Sequence, residues 1–452
     1  MDDSALSLLP PLVTISIAIW RKNAIIALFS GVVLCAVMLA DWNLIAGVTE
    51  SIISITNVFS SLNNTYIITF SLLIGVLVAL MRSSGAVNGF ITHLCNLKLV
   101  SSSRHASMLP TVIGTSIFTD SSLSMFTAGL ASQSLFDKYK LSRARLAYLL
   151  DSTCAPISIL VLINGWGAYV LGLLDGYNLT DPVGILIGTI GYNFYAIIAV
   201  LLAYYTAYSG KVFGPLKNSR CVYEQPSSNE IENTAPARVM WLPLMALFFI
   251  AFILLFVTGN GDIRQGDGAF SVFFSIVIAL TILILLILYY RLLTIRKIVS
   301  VSKQGAKEIF PAVIILILSF AFGDAIEALG TGNYISQLIN VNLPLFLIAP
   351  ALFLIAGLTA FTTGTSWATF AILIPIAVPV AQETGLPLNF LVAAVLGGGI
   401  FGDHASPISD TTVVASIASG CDHFEHVKTQ LPYALVGAIA TLILYTFIGL
   451  TF

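Results

Sequence analysis

Apolar residues occur along this chain in long stretches that are separated by short polar or charged segments. Because a membrane-spanning helix needs about 20 apolar residues, these stretches predict about ten membrane crossings. The predicted helices are Ala5–Trp20, Ala24–Ala40, Tyr66–Met81, Leu141–Leu174, Val183–Tyr208, Val239–Val257, Ala269–Tyr290, Phe310–Glu327, Pro344–Gln382, Leu388–Ser419 and Leu431–Phe452. The segment Leu44–Phe59 carries Glu50 and Asn57, so it either spans the membrane or lies at its interface. We therefore expect an all-α polytopic membrane protein in the lipid bilayer.

The composition supports this class. Of the 452 residues, 57% are apolar and 9% are charged, whereas soluble domains carry roughly 25% charged residues. The net charge of −2 provides no basic excess for binding a nucleic acid. The five cysteines are scattered without a CxxC pair, which disfavours a disulfide framework or a zinc site.

The positions of Lys and Arg predict the orientation, because basic loops stay on the cytoplasmic side. The basic clusters are Arg21–Lys22, Lys98 to Arg104, Lys138–Arg145, Lys211–Arg238, Arg291–Lys307 and Lys428. The polar stretch 209–238 is expected to be a cytoplasmic linker between two transmembrane repeats, 1–208 and 239–452. Both termini then lie outside, and the N-terminus moves to the cytoplasm if Leu44–Phe59 spans.

Two apolar segments have ends that must lie on the same side of the membrane. One lies between the basic residues Arg104 and Lys138, and the other, Pro344–Gln382, has no Lys or Arg at either end. Both are predicted to be re-entrant hairpins, whose irregular tips are tolerated only where protein or water satisfies the backbone. The tips would be Gly114-Thr115-Ser116 with Thr119 and Asp120, and Thr362-Thr363-Gly364-Thr365-Ser366.

Short motifs of the first half recur in the second. Gly114-Thr115-Ser116 recurs 250 residues later, and Pro156-Ile157-Ser158 recurs 251 residues later at Pro407. Five crossings separate the halves, so the second is predicted to be inverted, as in many secondary transporters. Each repeated proline lies in a run that is long enough for a broken helix, which predicts breaks at Pro156 and Pro407.

Polar side chains at these tips and breaks are the candidate binding groups, because carboxylates buried in a membrane are costly and usually functional. The cation or substrate candidates are Asp403, Asp410, Ser406, Ser409, Thr363, Thr365, Ser366, Asp120, Thr115, Ser116, Asp151 and Ser158. Oxygen ligands suit a hard cation, so sodium is predicted at Asp403, Asp410, Ser409 and Thr365. His404, Asp324 and Glu327 are candidates for proton binding. The alternative for Asp324 and Glu327, near the outer end of their helix, is exposure to solvent. His423 and His426, close to Lys428, are expected in a cytoplasmic surface loop.

The segment from Gly397 through Gly402-Asp403-His404-Ala405-Ser406-Pro407 to Thr412, followed by Gly420-Cys421-Asp422-His423 and Thr429-Gln430-Leu431-Pro432-Tyr433, resembles the NhaC-type sodium/proton antiporter family of the ion-transporter superfamily. The tip Thr363-Gly364-Thr365-Ser366-Trp367 is similar to that family as well. The resemblance implies an inverted-repeat fold with two re-entrant hairpins, a site between tips and broken helices, and often a homodimer with an elevator-like motion.

We expect a secondary active transporter in a bacterial inner membrane that uses an ion gradient and no cofactor other than the transported or coupling ion. The leading hypothesis is sodium/proton exchange, and the alternative is sodium-coupled transport or exchange of a small organic acid or amino acid. A channel is less favoured because hairpins and an inverted repeat suit alternating access. No Ser/His/Asp or HExxH constellation indicates an enzyme.

Overall fold

The computed structural model describes residues 5–21, 23–96, 101–118, 120–177, 179, 181–219, 235–331 and 344–452. Within these ranges every regular element is helical. The α-helices are α1 (Leu9–Arg21), α2 (Ala24–Leu39), α3 (Leu44–Asn57), α4 (Leu62–Ser83), α5 (Ala86–Asn96), α6 (Ser103–Ser116), α7 (Ser121–Lys138), α8 (Arg143–Leu160), α9 (Gly165–Asp175), α10 (Pro182–Tyr192), α11 (Phe194–Ser209), α12 (Arg238–Thr258), α13 (Gly268–Tyr289), α14 (Ile295–Ala328), α15 (Ile348–Thr363), α16 (Ser366–Thr384), α17 (Leu388–Ala405), α18 (Asp410–Ser419) and α19 (His423–Gly449).

The expected class is confirmed. In the described part of the chain, nine helices are long and apolar enough to cross a membrane, or ten if the bent pair α8 and α9 forms one span. Helix α3 has 14 residues and exposes Leu44 and Ile45 by 70% and 83%. At 1.5 Å per residue α3 is about 21 Å long, too short to cross a hydrocarbon core of about 30 Å.

The two predicted helix breaks have different outcomes. Helix α17 ends at Ala405 and the chain becomes helical again at Asp410, so Pro407 lies in a break as predicted. Pro156 instead lies inside α8, which continues to Leu160, and the prediction of a break there is wrong. A proline removes only one backbone hydrogen bond, and packing against other helices can make up for that loss.

The first-half break lies at residues 161–164, between α8 and α9, which are bent by 42°. Asn164 begins the second helix, because its Oδ1 accepts the backbone N–H groups of Trp166 at 2.8 Å and Gly167 at 3.0 Å. The Asn164 amide also donates to the carbonyl oxygen of Phe118 at 2.9 Å. This side chain therefore joins the break to the turn between α6 and α7.

Two further helix boundaries differ from the sequence-based expectation. The run Val183–Tyr208 forms two helices, α10 and α11, which are separated by Asn193. The last helix begins at His423 rather than Leu431, because Asp422 caps it by accepting the Glu425 backbone N–H at 2.9 Å.

Each of the two predicted hairpins consists of two helices joined by a short turn. In the first, α6 packs against α7, and in the second, α15 and α16 are joined by Gly364 and Thr365. Gly364 has φ +72°, and a Cβ atom there would lie 2.5 Å from the carbonyl oxygen of Ile408. Glycine is therefore required for this tip to touch the α17–α18 break.

Part of the expected linker packs against the helical bundle. The ring of Phe213 stacks on Tyr433 with centroids 3.8 Å apart, and its backbone N–H donates to the Tyr433 hydroxyl at 2.9 Å. Leu216, in a short 3₁₀ helix, is buried. Residues 220–234 of the predicted linker lie outside the described residues.

Candidate functional site

Asp403 lies at the end of α17, where the helix breaks, and its side chain is completely buried. Its Oδ2 accepts hydrogen bonds from the Ser366 hydroxyl at 2.5 Å and the Ser366 backbone N–H at 3.1 Å. Its Oδ1 has no hydrogen-bond partner among the described residues. The carboxylate is thus fixed by the tip of the second hairpin, with one oxygen left for a cation or proton.

Further hydrogen bonds attach the second tip to this break. The Ser406 hydroxyl donates to the carbonyl oxygen of Phe361 at 2.7 Å. Inside the break, the Thr412 hydroxyl contacts the carbonyl oxygens of Ser406 at 3.1 Å and Ser409 at 3.0 Å. His423 Nε2 lies 2.6 Å from the carbonyl oxygen of Pro407. The unwound turn is therefore held by side chains rather than by a helical backbone ladder.

Asp151 forms a second buried centre between the two halves. Its Oδ2 accepts a hydrogen bond from Gln430 Nε2 at 2.7 Å and lies 3.3 Å from His426 Nε2. Its Oδ1 is 4.0 Å from His404 Nε2. Asp151 and His426 are completely buried, which makes His426 part of the site rather than of a surface loop; that sequence-based expectation is wrong.

His404 connects the two centres because it directly follows Asp403. Its Nδ1 shares a 3.0 Å hydrogen bond with the Tyr195 hydroxyl, while its carbonyl oxygen accepts Gln430 Nε2 at 3.1 Å. Within the described structure, His404 Nε2, Asp151 Oδ1 and His426 Nδ1 make no hydrogen bond. The centre thus combines a carboxylate and two imidazoles with unused polar atoms, which suits proton binding.

The first-half tip has a different arrangement. Asp120 caps α7 by accepting the Leu123 backbone N–H at 2.6 Å. The Thr115 hydroxyl shares a 2.7 Å hydrogen bond with Tyr204, and Ser116 is exposed and bonds within its own helix. A Cβ atom on Gly114 would lie 2.6 Å from Thr153 Oγ1, so this tip meets α8 one residue before Cys154.

The Ser158 hydroxyl donates to the Cys154 carbonyl oxygen at 2.8 Å. Ser158 therefore lies inside the continuous helix α8 rather than in an unwound turn at Pro156. Thr119, which the sequence placed in the same tip, lies outside the described residues.

The other second-half candidates surround the break. Ser409 is buried and its hydroxyl lies 3.0 Å from the Thr411 hydroxyl. Asp410 begins α18 with an exposed side chain. The Thr363 hydroxyl donates to the Thr359 carbonyl oxygen at 2.8 Å, and Thr365 is half-buried. Ser366, rather than Thr365, is the tip residue that bonds to Asp403.

Four of the candidate carboxylates lie close enough for their charges to act on one another. Asp403 is within electrostatic range of Asp410 and Asp151, and Asp410 is also within range of Asp120. Two candidates from each half therefore converge. Asp324 and Glu327 are exposed near the end of α14, so their position supports the solvent-exposed alternative more than membership of this cluster.

Tyr195 and Gln430 also belong to the site, although the sequence did not single them out as candidates. His426 and Gln430 are four residues apart, so they share one face of α19. The signal that could have revealed His426 and Gln430 is Asp422 followed three residues later by Glu425, a pattern typical of a helix start.

No group of three or more His, Cys, Asp or Glu side chains in the described ranges has metal-site geometry.

The chain matches a known protein family. Residues 146–450 match a family model described as the Na⁺/H⁺ antiporter family. An uncharacterized protein of Haemophilus influenzae is 30% identical over 479 aligned residues, which cover 100% of this chain and 92% of that protein.

Two other relatives match over about a third of their length. The malate-2H⁺/Na⁺-lactate antiporter of Bacillus subtilis is 33% identical over 32% of this chain and 31% of that protein. The Na⁺/H⁺ antiporter NhaC of the same organism is 29% identical over 34% and 33% of the two chains.

Solved transporters share the fold. MtrF of Neisseria gonorrhoeae superposes with a TM-score of 0.63 at 14% identity, over 91% of this chain and 85% of that chain. YdaH of Alcanivorax borkumensis gives 0.62 at 12% identity, over 90% of each chain.

Proposed function

This chain belongs to the Na⁺/H⁺ antiporter family, whose NhaC-type members it resembles, and from this membership we propose that it exchanges sodium for protons across the membrane. At the coarser level it is an ion-coupled secondary transporter and not an enzyme. The finer assignment, which ion occupies which group, is our proposal.

The main support for the proposal is the burial and hydrogen bonding of Asp403. It is a completely buried carboxylate with one oxygen held by Ser366 and the other without a partner among the described residues. A buried charge without a counter-charge is costly in a membrane. A sodium ion or a proton would remove that cost, and the two cannot neutralise the same oxygen together. Alternation between them is the basis of exchange.

Sodium would need further oxygens beside Asp403, because hard cations take several oxygen ligands. The break supplies Asp410 and its neutral neighbours Ser406 and Ser409, and the tip supplies Thr365. In this proposal the ion ties hairpin to broken helix. Asp151, with His404 and His426, would take the second proton-binding role, since it lies within electrostatic range of Asp403.

The test is sodium-driven proton movement in proteoliposomes with a trapped pH-sensitive dye. Asp403→Asn keeps the shape of the side chain but removes its charge, so we expect proton movement to fall at least tenfold. Asp267→Asn is the matched control, because that exposed carboxylate caps α13 by accepting the Phe270 N–H at 2.9 Å and is not among the candidate site residues. Full activity in a folded Asp403→Asn protein would exclude this carboxylate from the exchange.

A second candidate function is exchange of a small organic acid or amino acid coupled to sodium. It is favoured by the similarity to the malate-2H⁺/Na⁺-lactate antiporter, which matches a third of this chain. An uptake screen of organic acids and amino acids, with and without a sodium gradient, separates the two candidates.

We propose the inverted repeat and the two re-entrant hairpins as the scaffold of this function. Support comes from Thr153 and Asp403, which are 250 residues apart and each contact a tip, Gly114 and Ser366 respectively. The bacterial inner membrane and a homodimer complete the proposal. The first is supported by the bacterial relative that matches along the whole chain, and the second by the family resemblance.

A further inference from the structure

A small cavity lies between the two tips, apart from the oxygen-lined break. Its walls include Trp166 and Tyr169 from the first turns of α9, Trp367 from α16, and Asp120 from the turn before α7. The cavity has a volume of about 20 Å³. One water-sized group needs roughly 10–15 Å³, so the space suits one or two heavy atoms.

The aromatic rings form walls rather than a stack. Trp166 and Trp367 have centroids 5.3 Å apart and planes inclined by 53°, while Tyr169 and Trp367 are 4.7 Å apart at 67°. Trp166 and Tyr169 are buried. The negative face of an aromatic ring attracts an organic cation, most strongly for tryptophan.

Asp120 is the charged residue among those described that line the cavity. Arg82 acts on Asp120 electrostatically, but no ion pair to Asp120 forms within the described ranges. The cavity therefore combines aromatic walls with an acidic group that lacks a contacting basic partner, which favours a cation.

Each helix N-terminus around the cavity already has a side-chain acceptor for at least one of its first-turn N–H groups, which makes these N-termini less favourable for an anion. Asn164 accepts from the start of α9, Asp120 from α7, and Asp403 from α16. An anionic ligand would have to displace these bonds. An ammonium group would displace none of them.

We propose that this cavity binds the primary ammonium group of an organic substrate. The inference rests on the second candidate function, sodium-coupled exchange of a small organic substrate, for which it names the chemical class of the group that is bound. Trp367 directly follows Ser366, and its carbonyl oxygen accepts the Tyr169 hydroxyl at 3.0 Å. The amine site and the Asp403 site thus share the segment 366–367, so binding at one site affects binding at the other.

The experiment measures binding, separately from transport. Trp20, Trp42 and Trp241 are replaced by Phe, so that the emission of the purified protein comes from Trp166 and Trp367. Methylammonium is titrated in sodium-free buffer, with tetramethylammonium and methanol as the oversized and the neutral probe. We expect a saturable emission change with methylammonium alone.

Asp120→Asn should raise the half-saturating methylammonium concentration at least tenfold. Asn also caps helices well, so the variant should fold. Asp181→Asn is the matched control, because Asp181 caps α10 by accepting the Gly184 N–H at 2.8 Å and does not line the cavity. Trp367→Leu should abolish saturation.

No saturable response to methylammonium, an equal response to methanol or tetramethylammonium, or an unchanged half-saturation in Asp120→Asn would overturn the amine site. The sodium-driven proton assay on Asp403→Asn would still decide the proposed exchange. The two failures are therefore distinguishable.

Discussion

Removal of the Ser366 hydroxyl tests the link between the second tip and the broken helix. The hydroxyl donates to Asp403 Oδ2 at 2.5 Å, and the backbone N–H of the same residue donates at 3.1 Å. Ser366→Ala removes the first bond and leaves the second. The Asp403 carboxylate then keeps one donor in a completely buried position.

The size of the effect follows from the charge on the acceptor. A hydrogen bond to a charged group contributes about 1.5–3 kcal/mol, and 1.4 kcal/mol corresponds to a tenfold change. Loss of the hydroxyl disfavours the ionised Asp403 carboxylate that sodium requires, and so favours binding of the competing proton. Because the backbone N–H remains, we expect the half-saturating sodium concentration to rise about tenfold to thirtyfold, and more at acidic pH.

The assay is proton movement against sodium concentration in proteoliposomes at two pH values. Ser275→Ala is the control, because among the described residues this buried hydroxyl bonds only to the Val272 carbonyl oxygen in its own helix, at 2.7 Å. A folded Ser366→Ala protein whose half-saturating sodium stays within about threefold of the unmodified protein would refute the reasoning, since a bond worth 1.5 kcal/mol or more is inconsistent with it.

Three further perturbations follow from the packing. His426→Leu removes a contact of the buried Asp151 and should destabilise the protein by about 3–5 kcal/mol, measured by thermal unfolding in detergent. Adding Asp151→Leu should restore most of this stability. Destabilisations that simply add in the double variant would contradict a coupling between His426 and Asp151. Phe213→Ala removes the stack on the last helix and should speed tryptic cleavage at Lys211, whereas the exposed Phe424→Ala should not. A single cysteine at Lys211 should react with a membrane-impermeant reagent only from the cytoplasmic side; labelling from outside would reverse the proposed orientation.

The helices of this protein could be predicted from the sequence because long apolar runs have few alternatives in a membrane. The breaks were harder. Pro407 lies among Gly, Ser and Asp residues, which have low helix propensity, and the helix ends two residues before it, at Ala405. Pro156 stands in a buried stretch where α8 continues, and the break follows at Asn164, whose amide satisfies backbone groups on both sides. Asparagine capping inside a membrane depends on tertiary neighbours that sequence periodicity does not contain.

The candidate site could be predicted in part. Asp403 at the predicted break contacts Ser366 of the predicted tip, and Asp151 lies buried at the neighbouring centre. The charged residues around His426 favour a loop in the sequence. Helix α19 begins at His423, eight residues before the apolar run that starts at Leu431. His426 therefore lies within this helix and is completely buried, although its neighbours in the sequence are charged.

The glycines between α15 and α17 limit how this transporter can deform. A Cβ atom on Gly398 would lie 2.4 Å from the Phe353 carbonyl oxygen, and one on Gly402 would lie 2.3 Å from that of Gly357. At these two positions the glycines lie against backbone and against the small side chains of Ala356 and Ala360, which have no rotamers that would let one helix slide along the other. A shift of one residue, about 1.5 Å, would bring a neighbouring side chain into a gap that holds none. Helices α15 and α17 are therefore expected to move together as one rigid unit. A displacement that exposes the site would occur at other helix interfaces, where side chains separate the backbones.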